Sequence, residues 1–391
     1  MSSAADTAVP MPGHLYVHVP FCRSKCSYCD FFSLSDASDA AASRWLADVR
    51  AEVRAWASLG MHGALESVYV GGGTPSLLAE KVATLLAGVS ADLALASGAE
   101  VTVEANPDSL DEQALTMMRT AGATRVSVGV QSFDDTVLGM LGRRHDARQA
   151  VEACERVRGA GLALSIDLIC GVPGQSLTSW AETIATALAT GARHVSVYPL
   201  SLEEGTPLAV AIDGGIVDPP DPDVAADMMV LAEESLARAG LARYEVANYA
   251  VPGAESRHNL AYWSGVSYLA LGPAAHGMLD AEQARHTGLI GYDAFPDAAR
   301  VRWSNAPDLG WRALPREVEV LTADEVARED VMLGLRLVNG VAERDIRAAG
   351  VTNIMLDLAA DGLVVQVSDR WRTTTRGWLL GNEVFERVWC G

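Results

Sequence analysis

Apolar and polar positions change places with two different periods along this chain, and the alternation of those periods sets its architecture. Short apolar runs rich in β-branched residues lie at 15–19, 67–70, 101–104, 125–130, 164–169 and 194–200, and each reads as a buried strand. Between them, apolar residues recur at helical spacing over 38–59, 77–93, 110–121, 148–160 and 179–190; Trp45, Leu46, Val49, Val53 and Trp56 carry the first of these. Six strands alternating with helices predict an α/β fold with a parallel sheet. The runs are read as apolar on both faces, as buried parallel strands commonly are. Glycine, proline and polar residues collect just after each strand, at the end of a parallel barrel where function gathers. Six units instead of eight point to a partial, open (β/α)6 barrel.

The pattern then changes. Residues 224–239 predict a further helix, and 244–249 a strand that extends the sheet. Beyond Gly272 the periodicity weakens, and 295–315, with Pro296, Pro307 and Pro315, reads as loop. Helices are expected at 325–337, 342–349 and 354–360, a hairpin over 363–367 and 371–374, and a last helix from Trp378. Helices followed by a two-stranded wing suggest a small winged-helix-like C-terminal domain, expected to cover the barrel mouth. The expected division is a flexible N-terminus over 1–13, the barrel over 14–294, a linker over 295–321 and the C-terminal domain over 322–391.

Composition narrows the classes of function. Of 391 residues, 49% are hydrophobic, and fifty acidic against thirty basic residues give a formal charge of −20. So acidic a surface repels phosphate backbones, so nucleic acid is not an expected partner, and the C-terminal wing is not read as a DNA reader. The first residues lack a basic and an apolar segment and do not read as a secretory signal. No apolar run approaches the roughly 20 residues that span a bilayer. Six cysteines without disulfide spacing fit a reducing compartment, and the expected location is cytoplasmic.

The chemistry concentrates after the first strand. Cys22, Cys26 and Cys29 stand in the spacing C-x3-C-x2-C, close enough to converge on a soft metal centre. Cys154, Cys170 and Cys390 are scattered. Three thiolates can hold a [4Fe-4S] cluster with one iron left open; a zinc ion completed by His18 or Asp30 is the alternative. Gly71-Gly72-Gly73-Thr74-Pro75 follows the second strand, and glycines there let the backbone approach a ligand. Glu104 closes the third strand as a candidate for an ammonium or a ribose hydroxyl. Gln131, Arg143 and Asp167 are polar where flanking residues are apolar. Asp167 needs a partner if buried, and Arg143 is expected to pair with it or with a ligand carboxylate.

The cysteine stretch resembles the signature of the radical S-adenosylmethionine (SAM) enzymes, in which the open iron binds the amino and carboxylate groups of SAM. In order along the chain, YVHVPFCRSKCSYCDF, GGGTPS, VTVEANP, SVGVQSFDD, GRRH, IDLICGVPGQ and VSVYPL are similar to the oxygen-independent coproporphyrinogen III oxidase superfamily. The resemblance extends over nearly the whole chain and implies a partial (β/α)6 radical SAM barrel. It also implies that Tyr16, Tyr28, Gly72, Gly73, Thr74, Glu104, Gln131, Arg143 and Asp167 correspond to SAM-contacting positions. The oxidases carry a fourth cysteine two residues after the third, where this chain has Phe31, and a longer segment before the first strand. Both departures resemble the haem-chaperone branch of that superfamily. That branch implies binding of haem and its transfer to an acceptor protein, without coproporphyrinogen oxidase activity, and a homodimer is left open. The oxidase itself, a radical SAM decarboxylase of porphyrin metabolism, is the alternative.

His258-Asn259-Leu260-Ala261-Tyr262-Trp263 is similar to the haem-binding motif of the chaperone branch. An imidazole beside aromatic side chains offers an axial iron ligand and a flat surface for a porphyrin. His276, in LGPAAHG, is a second candidate.

Overall fold

A computed structural model of the protein describes residues 9–35, 37–291, 293–307 and 316–390. Positions 1–8 of the expected flexible N-terminus and 308–315 of the expected linker lie outside these residues.

Six strand–helix units form first. They are β1 (His14–Val19) with α1 (Asp39–Ser58), β2 (Leu65–Gly72) with α2 (Ala79–Asp92), and β3 (Leu95–Ala105) with α3 (Glu112–Thr120). Next come β4 (Arg125–Gln131) with α4 (Asp135–Met140) and α5 (Ala147–Gly159), then β5 (Ala163–Cys170) with α6 (Leu177–Ala189). The last unit is β6 (His194–Pro199) with α7 (Pro207–Asp213) and α8 (Pro222–Arg238). Side chains cap the helices where the chain turns; Asp146, for example, forms a reciprocal capping box with Gln149 at the start of α5. Strands β1 to β6 lie parallel and in sequence order, as the alternation predicts.

The two faces of these strands are not alike, which corrects the expectation of strands apolar on both sides. One face carries Leu15, Val17, Val19, Val68, Val70, Val101, Val103, Val126, Val128, Leu164, Ile166, Val195 and Val197, all buried in the main core beneath the helices. The alternate positions carry Tyr69, Thr102, Glu104, Arg125, Ser127, Gln131, Ser165, Asp167, His194, Ser196 and Tyr198, which line a cavity inside the barrel. A barrel filled by side chains would be apolar inside; this one encloses a polar space, so its strands alternate.

The chain continues through β7 (Ala242–Arg243), β8 (Asn248–Ala250), α9 (Arg257–Trp263), β9 (Tyr268–Leu271), β10 (His276–Asp280), α10 (Ala281–His286), β11 (Ala298–Asn305) and β12 (Arg316–Thr322). Strand β8 pairs antiparallel with β6, so 248–250 extends the sheet. On the other edge β9 runs parallel to β1, followed by β10, β11 and β12, which completes a sheet of twelve strands. The expected loop over 295–315 is therefore corrected for 298–305, which is strand β11. Its alternation of buried Val301, Trp303 and Asn305 with half-buried Arg302 and Ser304 was masked by the flanking prolines.

The C-terminal part consists of α11 (Ala323–Gly334), β13 (Val341–Ala342), α12 (Glu343–Ala348), α13 (Thr352–Ala360), β14 (Val364–Val367), β15 (Arg370–Thr373), α14 (Thr375–Leu379) and α15 (Gly381–Cys390). It has its own core around Val331, Leu335, Ile346, Met355, Leu358, Trp371 and Val384. Buried Glu329 ties α11 to β11 through Arg300 at 2.5 Å and Arg302 at 2.6 Å. Trp378 donates its Nε1–H to the Val246 carbonyl at 2.8 Å, and α11 packs on α9. α9 itself sits against Ser67 at the start of β2, and Tyr244 against His194 at the start of β6. The C-terminal part thus packs at the opposite end of the strands from the cysteine loop, not over the mouth as expected.

Candidate functional site

The cysteine loop begins where Pro20 ends β1. Its course is fixed by backbone bonds, Cys22 N–H to Leu34 O at 3.0 Å and Ser27 N–H to Leu141 O at 3.1 Å, and Leu208 N–H at the start of α7 donates to Ser27 O at 2.8 Å. Cys22, Cys26 and Cys29 line the mouth of a cavity of about 680 Å³, together with Tyr28, Gly72, Gly73, Thr74, Glu104, Gln131, Arg143 and Asp167. The structure therefore gathers all three cysteines and eight of the expected cofactor residues around one space, of the size that takes a small molecule.

Does this set fit a cluster? All three thiols are free and half-buried, and burial raises Cys22 and Cys29; Cys154 and Cys170 lie deeper, in apolar surroundings that push both thiols up to about 12. Two groups are placed to steady thiolates: the Thr74 hydroxyl donates to Cys22 Sγ at 3.6 Å and Arg143 Nη1 to Cys26 Sγ at 3.4 Å. Among the described residues no three His, Cys, Asp or Glu side chains converge tightly enough for a single metal ion. A four-iron cluster, each iron taking a different thiolate, spreads its ligands more widely. His18, the proposed completion of a zinc site, is buried, and its ring nitrogens face Tyr16 Oη at 3.0 Å and Phe32 O at 2.9 Å. The donor set fits the cluster, and His18 is not free to complete a zinc site; Asp30, the other candidate for one, lines the same mouth.

The glycine turn does something other than expected. Its N–H groups do not wait for a ligand: Gly72 donates to Glu104 Oε2 at 3.0 Å, Gly73 to Val19 O at 2.7 Å and Thr74 to Phe21 O at 2.7 Å. A Cβ at Gly73 would stand 2.6 Å from Phe21 O and 2.8 Å from Val19 O. One at Gly72, whose φ is +107°, would strike the His18 ring. The glycines allow the turn to lie against the cysteine loop, and only its carbonyls remain for a ligand.

Glu104 also accepts from the Tyr69 hydroxyl at 2.8 Å, and burial, with Asp167 nearby, pushes its carboxyl from 4.5 up to about 7. Asp167 is held by Ser127 at 3.1 Å and by Ser196, and burial raises it from 3.8 to about 6. The expected Asp167–Arg143 pair does not form. Arg143 Nη2 donates instead to Asn106 Oδ1 and Gly129 O, both at 2.6 Å, which aims the guanidinium at the cysteines. Gln131 reaches the cavity from a left-handed backbone, φ +66°, a strained conformation for a residue with a side chain and one that concentrates at functional sites. Of the expected SAM-contacting residues, Tyr16 is not part of the cavity lining; it stacks on Tyr69 with ring centroids 6.2 Å apart. Sequence reading missed Tyr69, Thr102, Asn106, Arg125, Ser127, His194, Ser196 and Tyr198. The period-two alternation of the strands would have found all but Asn106.

His258 is not placed as an iron ligand. It is fully buried under α9, its Nδ1 faces Ser67 Oγ at 2.9 Å and its Nε2 faces Tyr262 Oη at 3.1 Å. Burial lowers its pKa to about 3, so the ring is neutral. To ligate iron it must release one of those partners. Of the eight histidines only His62 and His276 are exposed, and His62 precedes β2, at the end of the strands away from the cysteines. His276 starts β10 after a loop braced by Gly272 N–H to buried Glu52 at 2.7 Å and by Asn305 Nδ2 to Gly272 O at 2.8 Å. That loop lies on His18, beside the start of the cysteine loop. Phe31, at the position that separates the branches, is 68% exposed on the same loop and lines the cavity mouth.

Comparison with known proteins places these features. Residues 16–187 match the radical SAM superfamily. The heme chaperone HemW of Mycobacterium tuberculosis H37Rv is 39% identical over 390 residues, covering 96% of this chain and 95% of its own. The heme chaperone HemW of Bacillus subtilis 168 is 33% identical over 387 residues, covering 95% and 97%. Coproporphyrinogen III oxidase (HemN) of Escherichia coli, described as a radical SAM enzyme, superposes with a TM-score of 0.79 at 22% identity, over 98% of this chain and 91% of that one. Its likeness is one of fold.

Proposed function

We infer the function from one premise: the chain belongs to the HemW family of the radical SAM superfamily. On that premise we propose a haem chaperone, which binds a [4Fe-4S] cluster, SAM and haem and hands the haem to an acceptor protein. The observation that carries the reading is near-full-length similarity to proteins named heme chaperones, on a chain with Phe31 where the oxidase branch has a cysteine.

Cys22, Cys26 and Cys29 would hold the cluster, whose unprotected iron supplies a binding point for the amino and carboxylate groups of SAM. The protein's own contribution is orientation and charge. Arg143 and Thr74 steady the sulfurs on one side of the mouth. The glycine turn, its N–H groups already used, offers carbonyls, which suit an ammonium and not a carboxylate. Glu104 and Asp167 provide carboxylates for the cationic parts of SAM, which would also offset the cost of ionising them inside the barrel. For haem iron we assign His276 ahead of His258, because its imidazole is exposed on a braced loop while both nitrogens of His258 are engaged. A cytoplasmic location and a homodimer belong to the same proposal. Among the described residues no helix is long and apolar enough to cross a membrane.

The decisive test against the oxidase reading uses anaerobic, reconstituted protein with SAM and a reductant. Coproporphyrinogen III should be recovered without loss of carbon dioxide. Stoichiometric decarboxylation would move the chain to the enzyme branch.

A further inference from the structure

The barrel cavity runs deeper than the layer formed by Glu104, Ser127 and Asp167. Two residues earlier on their strands, Thr102 and Arg125 stand opposite one another in register, and both line the cavity. At about 3.3 Å per residue they lie roughly 6–7 Å below that layer. Both are buried, with exposures of 1% and 7%. Arg125 closes the floor through Nη2, which donates to Ala254 O at 2.9 Å and Glu255 O at 3.2 Å and meets Glu100 Oε2 at 3.1 Å. Glu100 in turn accepts from Ser256 Oγ and from the N–H groups of Arg257 and His258, each at 3.3 Å.

That leaves three groups over. Arg125 Nε and Nη1 and Thr102 Oγ1 are buried and hydrogen-bond to no protein atom. Their neighbours are already matched: Ser165 Oγ meets His194 Nδ1 at 2.7 Å, and His194 Nε2 meets Tyr244 Oη at 2.8 Å. Buried donors are almost always satisfied, so unmatched ones in residues that line a cavity point to a place for acceptor atoms.

We propose that the barrel floor is a second ligand subsite, where Arg125 Nε and Nη1 and Thr102 Oγ1 donate hydrogen bonds to the carboxylate of a small organic acid. Glu100 meets the guanidinium at 3.1 Å, so a bound carboxylate leaves one net negative charge on the floor and a phosphate dianion would leave two, which favours the carboxylate of the two. The subsite lies beneath the proposed SAM position and does not depend on haem binding.

Acetate is the probe. With anaerobically reconstituted full-length protein at pH 7 and constant ionic strength, replacing chloride by acetate should raise the unfolding temperature to a plateau. Thr102→Val keeps the shape and removes the hydroxyl, and should weaken acetate about tenfold, the value of one hydrogen bond to a charged group. Arg125→Lys should remove the effect; because it also gives up floor contacts, circular dichroism and cluster absorbance are recorded alongside. Acetate that stabilises wild type no more than chloride does, or that binds Thr102→Val as it binds wild type, overturns the proposal.

Discussion

Glu104→Gln should make the ligand-free protein more stable at pH 8 while removing its affinity for SAM. Glu104 is half-buried on the cavity wall, and its carboxyl is pushed from 4.5 up to about 7, chiefly by desolvation. For an acid raised on folding, the folded state keeps a proton that the unfolded chain has released, so stability falls as pH rises from 4.5 to 7. At about 1.4 kcal/mol for each tenfold change in the ionisation constant, a fully enclosed group would cost about 3 kcal/mol at pH 8. Glu104 faces a cavity that water enters, and about 2 kcal/mol is the realistic share. Glutamine carries no charge and can keep both neighbours, accepting from Gly72 N–H and donating to a rotated Tyr69 hydroxyl. Urea unfolding of ligand-free wild type and variant at pH 4.5 and pH 8 gives the difference directly. The two should agree within error at pH 4.5, and the variant should gain about 1–2 kcal/mol at pH 8. Equal stability at both pH values, or a variant weaker at pH 8, would refute the reasoning.

Three further outcomes are expected. Replacing Cys22, Cys26 or Cys29 by Ala should abolish the broad iron–sulfur absorption, whereas Cys170→Ala should retain it, measured by iron content after anaerobic reconstitution. Gly73→Val should lose cluster and SAM response together, at a cost of about 2–4 kcal/mol, because its side chain meets the backbone of the cysteine loop; a variant with full iron content would show that the turn and loop are not coupled. His258→Ala should lower stability by about 2–4 kcal/mol through a cavity and two orphaned hydroxyls. In that variant the Soret band should persist, while His276→Ala should shift it without a change in unfolding midpoint.

The barrel was legible because strands and helices announce themselves by period, and the cysteines because their spacing has few other uses. What the sequence reading lost was the meaning of the second period. In VTVEA, RVSVGVQ, LSIDLI and HVSVYP every other residue, Ile169 excepted, is polar or glycine, the signature of a barrel that encloses a polar cavity. Read as uniformly apolar, those strands hid Ser127 and Ser196, which hold Asp167, and β2 in the same way hid Tyr69, which holds Glu104. The partner of Arg143 was hidden for a different reason. Arg143 reaches Asn106 and Gly129 from a loop after α4, and such contacts arise only once distant strands are side by side. The same holds for His258, whose own ring stacks on Tyr69 of β2, while its neighbours Tyr262 and Trp263 pack on Tyr268 of β9 and under Arg336. The edge strands β9 and β10 were too short for a period to show, and β11 and β12 were masked by flanking prolines.

The most direct test of the proposed function is a haem titration. Anaerobically reconstituted protein with SAM bound is titrated with ferric haem, and the Soret absorbance is followed to saturation. The account predicts one haem per chain, with the iron–sulfur absorption unchanged throughout. A featureless, non-saturating increase would contradict it.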